Sequence, residues 1–465
     1  MTKINLGKKE VIHFIGIGGI GMSGLAQIMK TMGFNVQGSD ISENKNTDNC
    51  KKVGIKFILG HSKKNITKAT IIVKSSAIKN SNIELAEAKK FNIPTYDRIE
   101  ILSNIVALKK NIIITGSHGK TTTTSLVAKI LSTAKLDPTI INGGVINSIK
   151  NNAKLGKGDW AVVEADESDG SFLKVPISYS IVTNVDNEHV DYYKNYKNLK
   201  RAFITFINKT PPMGKAILCK DDSNINQILK KVYIKNYLTY GFNKNSNYHI
   251  CNPRYEINRT KFDLRIHNKN LKVFYIKNIT LNLIGEYNVL NATGAIAMSL
   301  NLGIKASIIK KALFNFSGVQ RRLTKVFQIN KIEFYDDYAH HPTEIKSVLN
   351  GVKKISGKRK IISVFQPHRY SRLKNLKKEF LSCFAKADRV ILCPVYSAGE
   401  KKDKKYNELK FAKLISKYSR AEVIIIKNED DLTRYFKRNL INNEIVIGMG
   451  AGSISKWMRS LKNNL

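Results

Sequence analysis

The chain has 465 residues, too many for one hydrophobic core and enough for roughly three domains of about 150 residues each. Hydrophobic residues make up 42% and prolines number only 9, which excludes a disordered chain, while five scattered cysteines without a CxxC pair exclude a disulfide framework and point to a reducing compartment. The formal charge of +42 invites a nucleic-acid reading, yet the excess runs through the whole chain and is smallest in residues 101–200, with 12 basic against 9 acidic side chains, so it reads as compositional bias with no specific nucleic-acid partner.

Val11 to Met29 carries no charge, but its glycines and the polar His13, Ser23 and Gln27 argue against a membrane span or signal segment. It reads instead as strand plus helix, and the protein is expected to be soluble and cytoplasmic. Val11 to Ile15 is expected as a buried strand, followed by Gly16-Ile17-Gly18-Gly19-Ile20-Gly21 and an amphipathic helix through Met32. A second strand, Phe34 to Gln37, ends at Gly38-Ser39-Asp40. This is a GxGxxG fingerprint with an acid 19 residues beyond its last glycine. Physically it provides a seat for a pyrophosphate on a helix N-terminus with Asp40 near a ribose, which UDP satisfies as well as NAD.

Strands Ile55 to Leu59 and Thr70 to Val73 follow, the latter running into Ser75-Ser76, whose hydroxyls suit phosphate or uracil but also make an ordinary turn. His61 reads as a lone loop histidine. Ile93 to Tyr96 and a helix from about Asp97 to Leu108 close the first domain, with Lys109-Lys110 as the junction.

The second domain opens on strand Ile112 to Thr115 and the loop Gly116-Ser117-His118-Gly119-Lys120-Thr121. The pattern GxxxxGK[ST] is met except that Ile114 holds the first glycine position. Backbone N–H groups, the Lys120 ammonium and the Thr121 hydroxyl are the groups a Mg²⁺-bound triphosphate needs. Two later strands, Trp160 to Val163 and Ser180 to Val185, end in Glu164-Ala165-Asp166-Glu167-Ser168-Asp169 and in Asp186-Asn187-Glu188-His189. Because ligands of doubly wound sheets bind at the carboxyl ends of strands, Lys120, Thr121, Glu164 and His189 are expected to converge. Asp166 and Asp169 also read as simple helix caps.

Tyr248 to Ile276 alternates like β-structure, with a hairpin around Asn268-Lys269-Asn270. A helix reaching Leu302 carries Asn288 and Asn291 on one face, suited to an adenine edge or to capping. From Gly318 a third α/β unit brings Gln320-Arg321-Arg322, a strand Lys331 to Tyr335 ending in Asp336-Asp337-Tyr338-Ala339-His340-His341, and a strand Ile361 to Phe365 ending in Gln366-Pro367-His368-Arg369. Strands Val390 to Leu392, Glu422 to Ile426 and Glu444 to Ile447 complete it.

Eight motifs in this order resemble the Mur ligase family: HFIGIGGIGMSG (13–24), SSAI (75–78), TGSHGKTTTT (115–124), EADESDGSF (164–172), NVLNATGAIA (288–297), QRR (320–322), DDYAHHPTE (336–344) and QPHRYSR (366–372). Ser117 departs mildly from the usual GTHGKT. The resemblance implies three α/β domains: a Rossmann-like UDP-sugar domain over 1–109, a P-loop-type ATPase domain with a mostly parallel sheet over 110–317, and a Rossmann-like amino-acid-binding and closing domain over 318–465. It implies ATP-dependent amide formation through an acyl phosphate, with ATP and Mg²⁺ as cofactors, as a monomer or dimer. UDP-N-acetylmuramate and L-alanine are the implied substrates, GIGGIGMSG favouring the alanine branch, and the lack of a clear equivalent of a sister-branch modified lysine around Tyr193 to Lys200 fits that branch.

By the same resemblance Gly116, Ser117, His118, Gly119, Lys120, Thr121, Thr122, Asn288, Asn291 and Arg322 hold the nucleotide. Thr121, Glu164 and His189 hold metal. Gly16, Gly18, Gly19, Gly21, Ser39, Asp40, Ser75, Ser76, Asp337 and Tyr338 bind substrate, and Lys120, Glu164, His189, His340 and Arg369 carry the chemistry, His340 also touching substrate. A relative that attaches a tripeptide to the same sugar nucleotide is one alternative, and a nicotinamide oxidoreductase, which leaves the Lys120 loop idle, is another. A polyanion-binding ATPase lacks the basic clusters interleaved with aromatics that it needs.

Overall fold

The computed structural model describes residues 7, 9–267, 273–441 and 443–465, so the expected turn at Asn268 to Asn270 lies outside the described residues. Three sheets follow one another along the chain. The first is all-parallel: β1 (Val11–Ile15), β2 (Asn35–Asp40), β3 (Lys56–Leu59), β4 (Ile71–Lys74) and β5 (Thr95–Asp97) lie in the order β3-β2-β1-β4-β5. The second contains β6 (Lys110–Thr115), β7 (Thr139–Ile146), β8 (Asn151–Lys154), β9 (Trp160–Glu164), β10 (Tyr179–Val182), β11 (Lys215–Cys219), β12 (Tyr237–Gly241), β13 (Tyr248–Glu256), β14 (Arg259–His267) and β15 (Val273–Leu281). Their order is β15-β14-β13-β12-β11-β10-β6-β9-β7-β8. The third, β16 (Thr324–Ile329), β17 (Ile332–Asp337), β18 (Lys360–Phe365), β19 (Arg389–Leu392), β20 (Glu422–Ile425) and β21 (Glu444–Met449), is ordered β16-β17-β21-β18-β19-β20, with β16 antiparallel.

The chain divides into two compact units. One comprises residues 1–252, 262–279 and 290–317, and the other residues 253–261, 280–289 and 318–465. Within the first unit the helix Ile20–Thr31 packs on the far edge of the second sheet: Asn152 Nδ2 donates to Ile20 O at 2.8 Å and Asn151 Nδ2 to Gln27 Oε1 at 2.8 Å. Gln27, a polar residue inside an apolar helix, thereby finds a partner that burial demands. The junction expected at Lys109-Lys110 is tight, because helix Arg98–Ala107 passes almost directly into β6 and Lys109 Nζ donates to Gly156 O at 3.0 Å.

Apolar runs explain the central strands. Ile112, Ile113 and Ile114 of β6 are all fully buried between β10 and β9, as expected for a parallel strand covered on both faces. In the other unit Phe365 of β18 packs against Phe380 and Phe384 with tilted rings. Helix Pro342–Ser356 starts on a capping box in which His341 accepts from Thr343 N and Glu344 reaches back to the cap, with proline in its first turn. Among the described residues no helix is long and apolar enough to cross a membrane.

Strand ends differ in detail from the sequence expectation. Here β2 runs on through Asp40 instead of stopping at Gln37, because Gly38, Ser39 and Asp40 pair with Phe57, Ile58 and Leu59 of β3.

Candidate active site

The glycine loop follows β6 and caps the helix Lys120–Thr133. It is fastened to the end of β10: Ser117 N donates to Asn184 O (3.1 Å), His118 N to Asn184 Oδ1 (2.8 Å), and Asp186 N to Ser117 Oγ (2.8 Å). The Ser117 hydroxyl therefore has a structural task that threonine shares, which explains why the departure from GTHGKT is harmless. Gly116 adopts φ +134°, and a Cβ there would stand 2.1 Å from Thr183 Oγ1. Gly116→Ala is expected to destabilise the protein by about 2–4 kcal/mol, combining left-handed strain with overpacking. Thermal unfolding checks this, and an unchanged Tm would refute the tight seat.

Lys120 is nearly buried, and its ammonium donates to Gly116 O (2.7 Å), Ser117 O (3.3 Å) and Glu167 Oε2 (2.7 Å). Burial alone would lower its pKa, but the Glu167, Asp166 and Glu164 carboxylates push it up and keep it charged. Thr121 Oγ1 donates to Glu164 Oε1 at 3.1 Å, and Glu164 Oε2 accepts Gly143 N at 2.7 Å. Thr122 is buried in the same first turn of the helix.

His189 stands in the loop after β10 with φ +57°, a strained conformation for a residue with a side chain. The structure adds neighbours to the expected metal trio. The carboxylates facing His189 Nε2 are Glu167, at 3.4 Å, and Glu188, at 3.6 Å, whereas Glu164 faces Thr121. Glu167 is fully buried; desolvation opposes its charge, yet Lys120 and His189 hold its pKa down at about 2. Burial would lower the His189 pKa, but Glu167 and Glu188 raise it. Ligand atoms of Asp166, Glu167 and His189 lie within 4.8 Å of one another, a carboxylate and imidazole set that suits a hard or borderline divalent cation. Asp169, by contrast, only accepts Ser171 N, as the capping alternative expected.

The two asparagines diverge. Asn291 Oδ1 lies where a Cβ on Gly119 would be 2.4 Å away, so it packs on the loop, while the Asn288 amide donates back to Ile284 O at 2.8 Å.

At the first glycine loop, Gly16 N and Ile17 N donate to Ser39 O, and Gly18 N donates to Asp40 Oδ2 at 2.8 Å. Gly19 and Gly21 begin the helix beside it. Ser75 turns the chain after β4, its hydroxyl accepting Ala77 N, beside an exposed Ser76. The Ser39 side chain, expected on substrate, is instead fully buried and donates to Glu84 Oε2 at 2.7 Å. Glu84 also meets His13 (3.4 Å) and His61 (3.1 Å), so His61 is not the lone loop residue expected. The signal was faint: one of two glutamates in a charged helix gives no hint that it is buried.

Desolvation works against the Glu84 charge, but hydrogen bonds from His13, Ser39 and Asn65 hold its pKa down at about 2 from 4.5. A depressed carboxylate contributes stability that is complete above the unfolded pKa and is lost as pH falls from about 4.5 towards 2. Glu84→Gln is therefore expected to cost on the order of 1–3 kcal/mol at pH 7 and to flatten the acid limb of the stability curve. Denaturant titrations between pH 3 and 7 test it, and parallel curves for the two proteins would count against the network. Sequence reasoning also missed Arg98, whose Nη1 lies 3.2 Å from a Cβ placed on Gly21, over the first turn of the helix behind the glycine loop.

In the other unit, Tyr338 lies beneath two guanidinium groups, Arg321 at 4.7 Å and Arg322 at 5.4 Å from its ring centroid. Arg322 also approaches Glu344 at 4.0 Å. His340 Nδ1 lies 2.9 Å from Tyr338 O; a carbonyl only accepts, so Nδ1 carries the hydrogen and Nε2 keeps the lone pair. Burial pushes the imidazole down to about 3, so it is neutral at pH 7. Its ring meets His368 edge-on at 5.5 Å, and His368 stacks on Tyr396. Arg369 is exposed at φ +67°, another strained position at a strand end. Asp337 is the second correction: both oxygens accept backbone N–H groups, from Leu323 (2.6 Å) and Ala339 (2.7 Å), and burial pushes its carboxyl up to about 6. It shapes the turn that presents Tyr338 and His340 instead of facing a substrate.

A triphosphate loop with a buried lysine, a hydroxyl–carboxylate pair beside it and a preceding Rossmann-like sheet is the layout of a nucleotide-activating ligase. Matching family models cover the chain in series: "Mur ligase family, catalytic domain" over 11–110, "Mur ligase middle domain" over 114–299 and "Mur ligase, glutamate ligase domain" over 321–452. The chain belongs to the Mur ligase family and is an ATP-dependent amide ligase. It is 56% identical to the UDP-N-acetylmuramate–L-alanine ligase of Pelagibacter ubique, with 99% of each chain covered. The ligase of the same name from Agrobacterium fabrum is 40% identical over 98% of this chain and 97% of its own. The solved UDP-N-acetylmuramate-alanine ligase of Thermotoga maritima superposes with a TM-score of 0.80 at 28% identity, covering 97% of this chain and 98% of that one. A murein peptide ligase from Psychrobacter arcticus shares the fold, with a TM-score of 0.71 at 20% identity over 98% of each chain. The names of the sequence relatives favour the alanine branch over the tripeptide and nicotinamide alternatives.

Proposed function

We propose that this protein joins L-alanine to the lactyl carboxylate of UDP-N-acetylmuramate, in the cytoplasm, with ATP and Mg²⁺. The observation that carries the reading is the Gly116–Thr121 loop, with its buried Lys120 between the carboxylates that follow β9, in a chain similar end to end to ligases of that name. A carboxylate oxygen attacks the γ-phosphorus and ADP leaves; the neutral amine then attacks the carbonyl carbon, the amide forms, and phosphate leaves with the amine proton passed to solvent or a base.

The residues divide the work. Loop N–H groups from Gly116 to Gly119 and the Lys120 ammonium bind and neutralise the outer phosphates, which is most of what phosphoryl transfer requires. Thr121, Glu164 and His189, with Asp166 beside them, would hold Mg²⁺, which would supply charge neutralisation. Asn291 orients the nucleotide beside Gly119. Gly16 to Gly21, Asp40, Ser75, Ser76 and Arg98 hold the UDP moiety. Tyr338, His340 and Arg369 serve the amino acid, His340 Nε2 as a neutral acceptor for the amine, and Arg322 assists the nucleotide. The proposed boundaries are 1–109 for sugar nucleotide, 110–317 for ATP and 318–465 for the amino acid.

The deciding experiment measures phosphate release. Purified protein is expected to turn over only when Mg-ATP, UDP-N-acetylmuramate and L-alanine are all present. Preference for a tripeptide in place of alanine, or indifference to the sugar nucleotide, would overturn the assignment.

A further inference from the structure

Glu167 has no part in the motif logic of the loop, yet it joins the two groups on which the proposed function depends. Its side chain is fully buried, Oε2 stands 2.7 Å from Lys120 Nζ, and Oε1 faces His189 Nε2 at 3.4 Å. Its main-chain oxygen accepts the Tyr193 hydroxyl at 2.6 Å, so the backbone beneath it is fixed. An ammonium has three N–H donors. In this structure they go to Gly116 O, Ser117 O and Glu167 Oε2, which leaves none for a phosphate. The two carbonyls belong to the loop itself and travel with it. Glu167 comes from the segment after β9 and is the one anionic hydrogen-bond partner of Lys120 among the described residues.

We propose that Glu167 is the resident counterion of Lys120 with which a nucleotide phosphate must compete, and that it thereby sets nucleotide affinity while positioning His189. The inference rests on the reading of the Lys120 loop as the ATP site. Two anions cannot share one buried ammonium without mutual repulsion, so phosphate binding and the Glu167–Lys120 contact compete. The carboxylate has somewhere to go, because His189 already stands on its other side. Glu167 therefore acts through Lys120 and His189 and is a positioning residue. A carboxylate paired with Lys120 also avoids leaving a bare charge buried, which would be costly.

The test compares Glu167→Gln with the unchanged protein by equilibrium binding of ATP and ADP and by steady-state kinetics. Glutamine keeps the shape and offers Lys120 a neutral acceptor, so nucleotide is expected to bind about tenfold tighter, while kcat falls about 10- to 100-fold as His189 loses the nearer of its two charged partners. A merely structural role would weaken binding and turnover together or leave binding unchanged, and either result overturns the proposal. Glu167→Asp keeps the charge but withdraws it by one methylene; its nucleotide affinity is expected between the other two, and it carries the test if the glutamine variant does not fold. Unchanged or weaker nucleotide binding in the aspartate variant likewise overturns it. Ligation by the unchanged protein in the same assay separates the two levels: its absence refutes the ATP-ligase reading, whereas its presence without tighter binding in the variants refutes only the role of Glu167.

Discussion

Lys120→Ala is expected to lower ligation by about 10³-fold or more, because no second lysine or arginine stands in the glycine loop to offset the β- and γ-phosphate charge. The same change strands Glu167, a buried carboxylate that depends on this lysine, so a loss of about 3–5 kcal/mol of stability should accompany it at pH 7. That loss belongs to the pH range above the ordinary carboxylate pKa; it fades as pH falls from about 4.5 towards 2, where Glu167 would protonate in either protein. The double variant Lys120→Ala with Glu167→Gln separates the effects: stability should recover, since no charge is left unpaired, while turnover should not. Full turnover by a folded Lys120→Ala protein would refute the nucleotide site.

Glu164→Gln is expected to lower kcat by about 10²- to 10³-fold and to raise the Mg²⁺ concentration needed for half-maximal rate. The amide can still accept from Thr121 or Gly143, so the local hydrogen bonds largely survive and the deficit reports lost charge. Rates measured across a Mg²⁺ titration test it. A variant within twofold of the unchanged protein at every Mg²⁺ concentration would remove Glu164 from the cation site.

Local sequence carried most of the fold. Continuous apolar runs such as Ile112 to Ile114, each ending in glycine, hydroxyl or acid, announce parallel strands with their functional ends, since a strand covered on both faces has no polar positions to spare. The strands that escaped notice, β7, β8, β11 and β12 among them, are shorter on signal: Thr139–Ile146 contains Asn142-Gly143-Gly144, which reads as a turn. Yet Gly143 supplies the N–H that holds Glu164.

What the sequence by itself determined is chemistry that resides in a single short segment. The loop Gly116 to Thr121 needs its glycines, lysine and threonine in that order whatever surrounds them, because backbone N–H groups, ammonium and hydroxyl must all meet one polyphosphate. What only the tertiary structure decided is which partner each charge takes. Glu164 and Glu167 lie three residues apart in the same acidic run; β9 ends at Glu164, facing Thr121, and the following turn buries Glu167 between Lys120 and His189. Ser39 and Asp40 are adjacent, but the pleat sends one inward to Glu84 and the other to Gly18. Sequence spacing specifies which groups reach a strand end, while burial and pairing, which depend on elements distant along the chain, specify which of them remain charged and where they point.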